Sequence, residues 1–185
     1  CIYCSRFVES TDHCFANHDR IAELNLYDGK ADRYFSGSPV PLAEDLRTWA
    51  LGETEAISSV TYPRERPYYV ELSPEKTLPY ELETIEIDTC YNKIFTPEMV
   101  AGHWKMASQS LNSVILSQSM AIKIFGNAES AIGKHMTLMR RLNTSPESTP
   151  KTGGIVYTIQ AVMKDIPLNN SLDFMQNIDM LTVND

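Results

Sequence analysis

The chain has 185 residues, enough for one good core or for two small lobes sharing one, since domains commonly run to about 100–150 residues. Its composition, 43% hydrophobic, 22% charged and 9% aromatic, is that of an ordinary globular protein and excludes a disordered or fibrous one. The formal charge is −8 and Arg140-Arg141 is the only adjacent basic pair, so no clustered basic face exists for a phosphate backbone, and an anionic lipid surface is disfavoured for the same reason.

Residues 11–26 predict a short helical turn, opened by Thr11 or Asp12, that runs into an extended segment ending at the turn signal Asp28-Gly29. Residues 30–41, rich in Gly, Ser and Pro, predict a loop with a short strand over 33–35. Leu42, Leu46, Trp49 and Ala50 fall on one face of a helix whose first turn carries Glu44 and Asp45, favourable to the helix dipole, and Gly52 stops it. Strands are expected over 56–62 and 68–72, separated by a break at 63–67 that contains two prolines.

From Thr84 onward residues 81–88 alternate, with Thr84, Glu86 and Asp88 on one side and Ile85 and Ile87 on the other. This predicts a half-exposed edge strand on which Glu81, Glu83, Glu86 and Asp88 are solvated charges that discourage edge pairing. Phe95-Thr-Pro-Glu98 then reads as a turn into a short helix ended by Gly102.

Asn112 to Leu116 is a strand of β-branched and apolar residues. Ser117 stands at the natural N-cap, Met120, Ala121, Ile124 and Phe125 form a helical stripe, and Gly126 supplies the left-handed C′ position. A polar connection over 127–131 and a turn at Ile132-Gly133-Lys134 lead into a strand over 135–142. Residues 143–154 predict a hairpin tip, 155–162 a strong strand ended by Lys164-Asp-Ile-Pro167, and the tail 172–183 one further strand.

No run approaches the roughly 20 apolar residues that span a bilayer, and the chain has neither an initiator Met nor a signal-peptide core. The start at Cys1 is expected to be the cut end of a longer protein, with any membrane anchor in the missing part. Cysteines stand at Cys1, Cys4, Cys14 and Cys90; an even count is compatible with disulfides and leaves the redox compartment open.

Cys1-x-x-Cys4 has the spacing of a redox pair or half a zinc site, and His13, Cys14 and His18 are close enough in sequence to complete four ligands. A thioredoxin-type pair, however, sits between a strand and a helix, whereas this one lies at a chain end, and incidental or structural thiols are the simpler account. His103 and Trp104 follow Gly102 in an expected loop, where such a pair usually covers the edge of a core. His135 has no acidic or nucleophilic partner at meaningful spacing. The serines form no GxSxG elbow and the glycines neither GxGxxG nor GxxxxGK[ST], so acyl transfer and nucleotide binding lack their backbone devices. No catalytic, cofactor-binding or metal-ligating residue is assigned.

Three stretches together resemble the periplasmic core domain of MacB-like ABC transporter permeases, the group with the FtsX-like membrane region. The first, Ser10-Thr-Asp-His-Cys-Phe-Ala-Asn-His-Asp-Arg-Ile21, is similar to the family's aspartate, aromatic, asparagine and Asp-Arg-Ile pattern. The second is Asn112-Ser-Val-Ile-Leu-Ser-Gln-Ser-Met-Ala-Ile-Lys-Ile-Phe-Gly126 with Ala131-Ile-Gly-Lys134. The third is Val162-Met-Lys-Asp-Ile-Pro167 followed by Asn170-Ser171. Ala131 stands where the family usually has proline, and Ala22-Glu23 replaces its common Tyr-Arg pair.

The resemblance implies an α/β (α+β) fold in a single extracytoplasmic domain, 1–185. It would have two lobes: a βαβ-type lobe of about 1–76 plus 167–185, and a strand-rich inserted lobe of about 77–166. It further implies a non-enzymatic domain on the periplasmic side of the bacterial inner membrane that transmits ATP-driven motion to substrate export or to a partner protein. The implied partners are a cytoplasmic ATPase reached through the membrane region, a second permease copy, and a periplasmic adaptor with an outer-membrane duct. The competing expectations are a secreted binding or adhesion module, and a thiol or zinc enzyme built on Cys1, Cys4 and Cys14.

Overall fold

The computed structural model describes residues 12–24, 26–35, 41–49, 52, 54–73, 75–110, 112–138, 154–172 and 175–183. The described residues form an α+β protein. A short hairpin, β1 (Leu26–Asp28) and β2 (Arg33–Phe35), turns at Asp28, whose carboxylate accepts the Lys30 and Ala31 N–H groups, and is followed by α1 (Leu42–Trp49). Trp49, on the apolar face expected for this helix, is 75% exposed, and α1 buries no residue; it is held instead by the Arg47 guanidinium on Asp88.

The remaining strands are β3 (Arg64–Ser73), β4 (Lys76–Ile87), β5 (Met99–Gly102), β6 (Ser113–Ser117), β7 (His135–Leu138), β8 (Ile155–Met163) and β9 (Met180–Val183). They form one sheet in the order β5-β8-β6-β9-β4-β3-β7, and β7 also pairs with β8, so six of the strands close into a ring with β5 outside it. The pairs β4–β9 and β6–β8 are parallel and the others antiparallel. Short helices α2 (Tyr91–Phe95) and α3 (Trp104–Gln109) flank β5, and α4 (Gln118–Phe125) follows β6 directly.

Two cores lie on opposite faces of this sheet. Val70, Leu82, Val114, Leu116, Met136, Ile159, Val162 and Met180 meet beneath α4, whereas Ile85, Ile87, Ile115, Ala161, Met163 and Leu181 meet Tyr91, Phe95 and Ala107 of α2 and α3. Every residue of β6 is buried. A strand covered on both faces must read as a continuous apolar run, which is what Val114-Ile-Leu116 supplies, each side chain contributing about 1.5–3 kcal/mol on burial.

Several expectations are corrected. β3 begins at Arg64 and runs through Pro67, while β4 runs back to Lys76 through Pro79. Both prolines stand where their strand has a partner on one side: β7 pairs with β3 only over 68–70 and β9 with β4 only over 84–87, so the missing N–H interrupts no second ladder. β4 is not an edge strand but lies between β3 and β9, and Thr84 and Asp88 are buried. Its charges are not uniformly solvated either. Glu86 pairs with Arg66 at 2.9 Å, and burial pushes the Glu83 carboxyl above its ordinary range.

The helix expected after Pro97 precedes it as α2, closed by Thr96 in the left-handed conformation (φ 43°), and Met99–Gly102 is a strand. Gly102 ends no helix. Its φ is 69°, and a Cβ there would stand 2.2 Å from the Gln160 carbonyl oxygen. The segment 56–62 forms no ladder of its own; it touches the sheet at the Val60–Ile87 bridge and through Thr61, which exchanges hydrogen bonds with Glu86. Within 172–183, β9 is the only strand among the described residues, and Met175, Gln176 and Asn177 turn instead. The hairpin tip expected over 143–154 lies outside the described residues except for Gly154, while β7 and β8 pair antiparallel as a hairpin requires. The rest of the strand expected over 135–142 also lies outside them beyond Leu138.

Candidate functional site

The three stretches singled out in the sequence are linked in series: the first contacts the third through Asp12 and Ser171, and the third contacts the second through Asp165 and Ser119. Residues 12–17 turn tightly, with Asp12 in the left-handed conformation at φ 64°, and the Phe15 N–H donates to the Asp12 carbonyl at 2.9 Å. The Asp12 N–H donates to the Asn169 carbonyl at 3.1 Å. In return the Ser171 N–H and hydroxyl donate to the two Asp12 carboxylate oxygens at 2.6 and 2.7 Å, across a sequence separation of 159 residues. Charge-assisted bonds of this kind are about twice as strong as neutral ones.

Beyond this clamp, Phe15 is buried edge-on against Phe95, with ring centroids 5.3 Å apart. The Asn17 side-chain amide donates to the Lys93 and Ile94 carbonyls at 3.2 and 3.1 Å, near the end of α2 where a helix leaves its acceptors open. Arg20 reaches Glu55 at 2.6 Å and the Asn17 side-chain Oδ1 at 2.7 Å.

The second stretch presents the start of α4. The Ser117 hydroxyl accepts the Met120 N–H at 3.3 Å, as an N-cap should, and Gly126 closes the helix at φ 87°. The Ser119 N–H, another donor with no intrahelical partner, is taken by the Asp165 carboxylate at 3.0 Å. Asp165 belongs to the third stretch, which then turns around the buried Asn170. The Asn170 amide donates to the Pro167 carbonyl at 2.6 Å, and its oxygen accepts the Leu172 N–H at 3.1 Å.

Between α4 and this turn lies an open groove of about 290 Å³, lined by Ser119, Asp165, Ile166, Leu168, Ile178 and Asp179 among others. Asp179 bridges the strands on either side of β9: its N–H and carboxylate pair with the Glu83 carbonyl and N–H, each at 2.9 Å, and its carbonyl accepts the Ser117 N–H at 2.8 Å. Burial holds its carboxyl above the ordinary range; the Glu83 N–H and Lys123 oppose that rise, and Asp165 and Glu65 add to it.

Cys1 and Cys4 lie outside the described residues. The His13 and His18 rings are 4.4 Å apart, and the His18 Nδ1 lies 3.2 Å from the Phe15 carbonyl oxygen. Partial burial raises the pKa of the neighbouring Cys14 thiol, the opposite of what a nucleophile needs. Among the described residues no three His, Cys, Asp or Glu side chains are grouped to hold a metal ion. His103 precedes α3 in extended conformation, Trp104 stacks on Tyr91 at 6.1 Å, and His135 contacts the Thr158 hydroxyl at 3.2 Å. None of the three reaches the groove lining.

The sequence reads Asp88 as a solvated edge charge, whereas it is buried at the centre of a cluster. Its buried carboxylate accepts Arg47, the Ser58 hydroxyl at 2.8 Å, and the Ser59 and Cys90 N–H groups at 2.6 and 2.9 Å. These are fastenings rather than a nucleophile and base, and they bind α1 and the 56–62 segment to the end of β4.

A domain of a protein assigned as a permease, from Porphyromonas gingivalis, superposes with a TM-score of 0.58 at 23% identity, over 82% of this chain and 55% of that one. The chain shares the fold of that domain. The periplasmic region of MacB from Actinobacillus actinomycetemcomitans (TM-score 0.48, 17% identity, 86% of this chain and 62% of that one) is also similar. So is the extracellular domain of the noncanonic ABC-type transporter YknZ from Gram-positive bacteria (0.44, 15%, 75% and 59%). The overlap of these last two is too loose to carry a structural argument. The chain spans about half the length of the first neighbour. No family model and no curated protein matches the sequence. Among the described residues no helix is long and apolar enough to cross a membrane.

Proposed function

We propose that the chain is a non-catalytic extracytoplasmic domain of an ABC transporter permease, standing on the periplasmic side of the bacterial inner membrane. It passes ATP-driven motion of the membrane region to substrate export or to a partner protein. The observation that carries this reading is the fold shared with a permease domain over most of the chain. The linkage of the three permease-like stretches, through Asp12–Ser171 and Ser119–Asp165, supports it.

The partners that follow are a cytoplasmic ATPase reached through the membrane region, a second permease copy, and a periplasmic adaptor with an outer-membrane duct. The division into lobes, 1–76 with 167–185 and the insertion 77–166, is part of the same proposal. β9 of the first lobe lies between β4 and β6 of the second, so the two would move as one body.

The test is affinity isolation of the natural full-length protein from detergent-solubilised membranes. Recovery of an ABC-type ATPase with it is the expected result. Recovery of a free secreted chain, in neither membranes nor an ATPase complex, would instead favour a binding module that uses the groove of Asp165 and Asp179.

A further inference from the structure

The Asp12 clamp and the Asp165 cap are connected. Asp12 grips Asn169 and Ser171 through one backbone and two carboxylate hydrogen bonds. Asn170, 6% exposed, ties Pro167 to Leu172 with its own side chain, and the Gln176 amide reaches its carbonyl at 3.5 Å, so the turn behaves as one piece. Two residues before Pro167, Asp165 holds the Ser119 N–H, and the Lys164 N–H is fixed on the Glu98 carbonyl at 2.8 Å. The start of the described chain is therefore joined to the N-terminal turn of α4 by a short polar route that runs outside the strand ladders. A second attachment, Phe15 and Asn17 on α2, leads elsewhere, into the opposite core.

We infer that Asp12, the 167–172 turn and Asp165 form a relay that couples the position of residues 12–17 to the first turn of α4, separately from the sheet. Coupling of this kind requires contiguous contacts with a local opening of lower free energy than global unfolding, and it must be reciprocal. The hydrogen bonds supply the contiguity, and their exposed position at the surface of a doubly packed sheet favours local opening. The relay rests on the permease reading only for the source of the motion it would carry; the coupling belongs to this chain whatever the chain does.

Native-state amide hydrogen exchange on the intact chain tests it. Asp12→Ala should accelerate exchange at Ser171, and also at Ser119 and Met120, by about fivefold, the factor that corresponds to losing one ordinary hydrogen bond. The amides of Ile115 and Leu181 in the sheet should not change. Asp165→Ala should in turn accelerate exchange at Ser171. Ser171→Ala, which removes only the hydroxyl bond, should give the same pattern with smaller amplitude if Asp12→Ala fails to fold. Acceleration confined to Ser171 would overturn the relay, as would equal acceleration at Ile115 and Leu181. Neither result bears on whether the protein is a permease, which the ATPase isolation decides.

Discussion

The Asp88 carboxylate receives the Arg47 guanidinium while also accepting the Ser58 hydroxyl and the Ser59 and Cys90 N–H groups, at 8% exposure. One acid thus joins α1, the 56–62 segment and the start of α2 to the end of β4. Asp88→Ala leaves four donors without their acceptor and should lower stability by about 2–3 kcal/mol. Arg47→Ala removes a half-exposed partner and should cost about 1 kcal/mol. Urea denaturation of the two variants beside the parent checks the order of the two effects.

Gly102 and Gly126 both have positive φ, at 69° and 87°, but only at Gly102 would a Cβ meet the backbone, 2.2 Å from the Gln160 oxygen. Gly126→Ala should therefore cost about 1–2 kcal/mol, the price of a left-handed alanine. Gly102→Ala must in addition push β5 away from β8, and its loss should exceed that of Gly126→Ala in thermal melts.

These positions show how much of the fold is legible in the sequence. Ser117 and Gly126 are local devices: each answers to the backbone within four residues, so cap and stop are readable and the structure has both. The continuous run of β6 is readable for a similar reason, since a strand buried on both faces has no alternation to mislead. Pro67 misled because a proline marks a break only where both sides of the strand are paired, and pairing is non-local. The same holds for Asp88: alternation along β4 places it on a face, but nothing in the chain near it announces Arg47 or Ser58. The Asp12–Ser171 clamp, spanning 159 residues, has no local signal at all. Asp12 is locally legible only as a turn-opening residue, and Ser171 only through the permease resemblance.

Asp179 titrates against the fold. Its folded carboxyl sits above the ordinary range because it is buried, so the native state binds the proton more tightly than the unfolded chain does. Its contribution is fully present below the unfolded value of about 4 and is lost as pH rises through the folded value. Asp179→Asn keeps an oxygen for the Glu83 N–H and carries no charge. It should raise the denaturation midpoint at neutral pH and give no gain near pH 3, measured by urea titration at both.

Among the described residues the Ser113 hydroxyl, 1% exposed on β6, is a buried polar atom with no hydrogen-bond partner. Removing an unsatisfied buried group relieves its desolvation cost. Ser113→Ala should be neutral or stabilising by up to about 1 kcal/mol, in contrast to the loss expected at the satisfied N-cap from Ser117→Ala, about 1 kcal/mol. Paired thermal melts distinguish the signs.

The domain's position outside the cytoplasm is the central claim, and a thiol label tests it most directly. Gln109→Cys, with the native cysteines replaced by serine, places a lone thiol at the exposed end of α3 in the natural full-length protein. A membrane-impermeant maleimide applied to intact cells, with the outer membrane opened where one is present, should label that thiol in a protein that fractionates with the inner membrane. Labelling that appears only after the inner membrane is lysed would contradict the account.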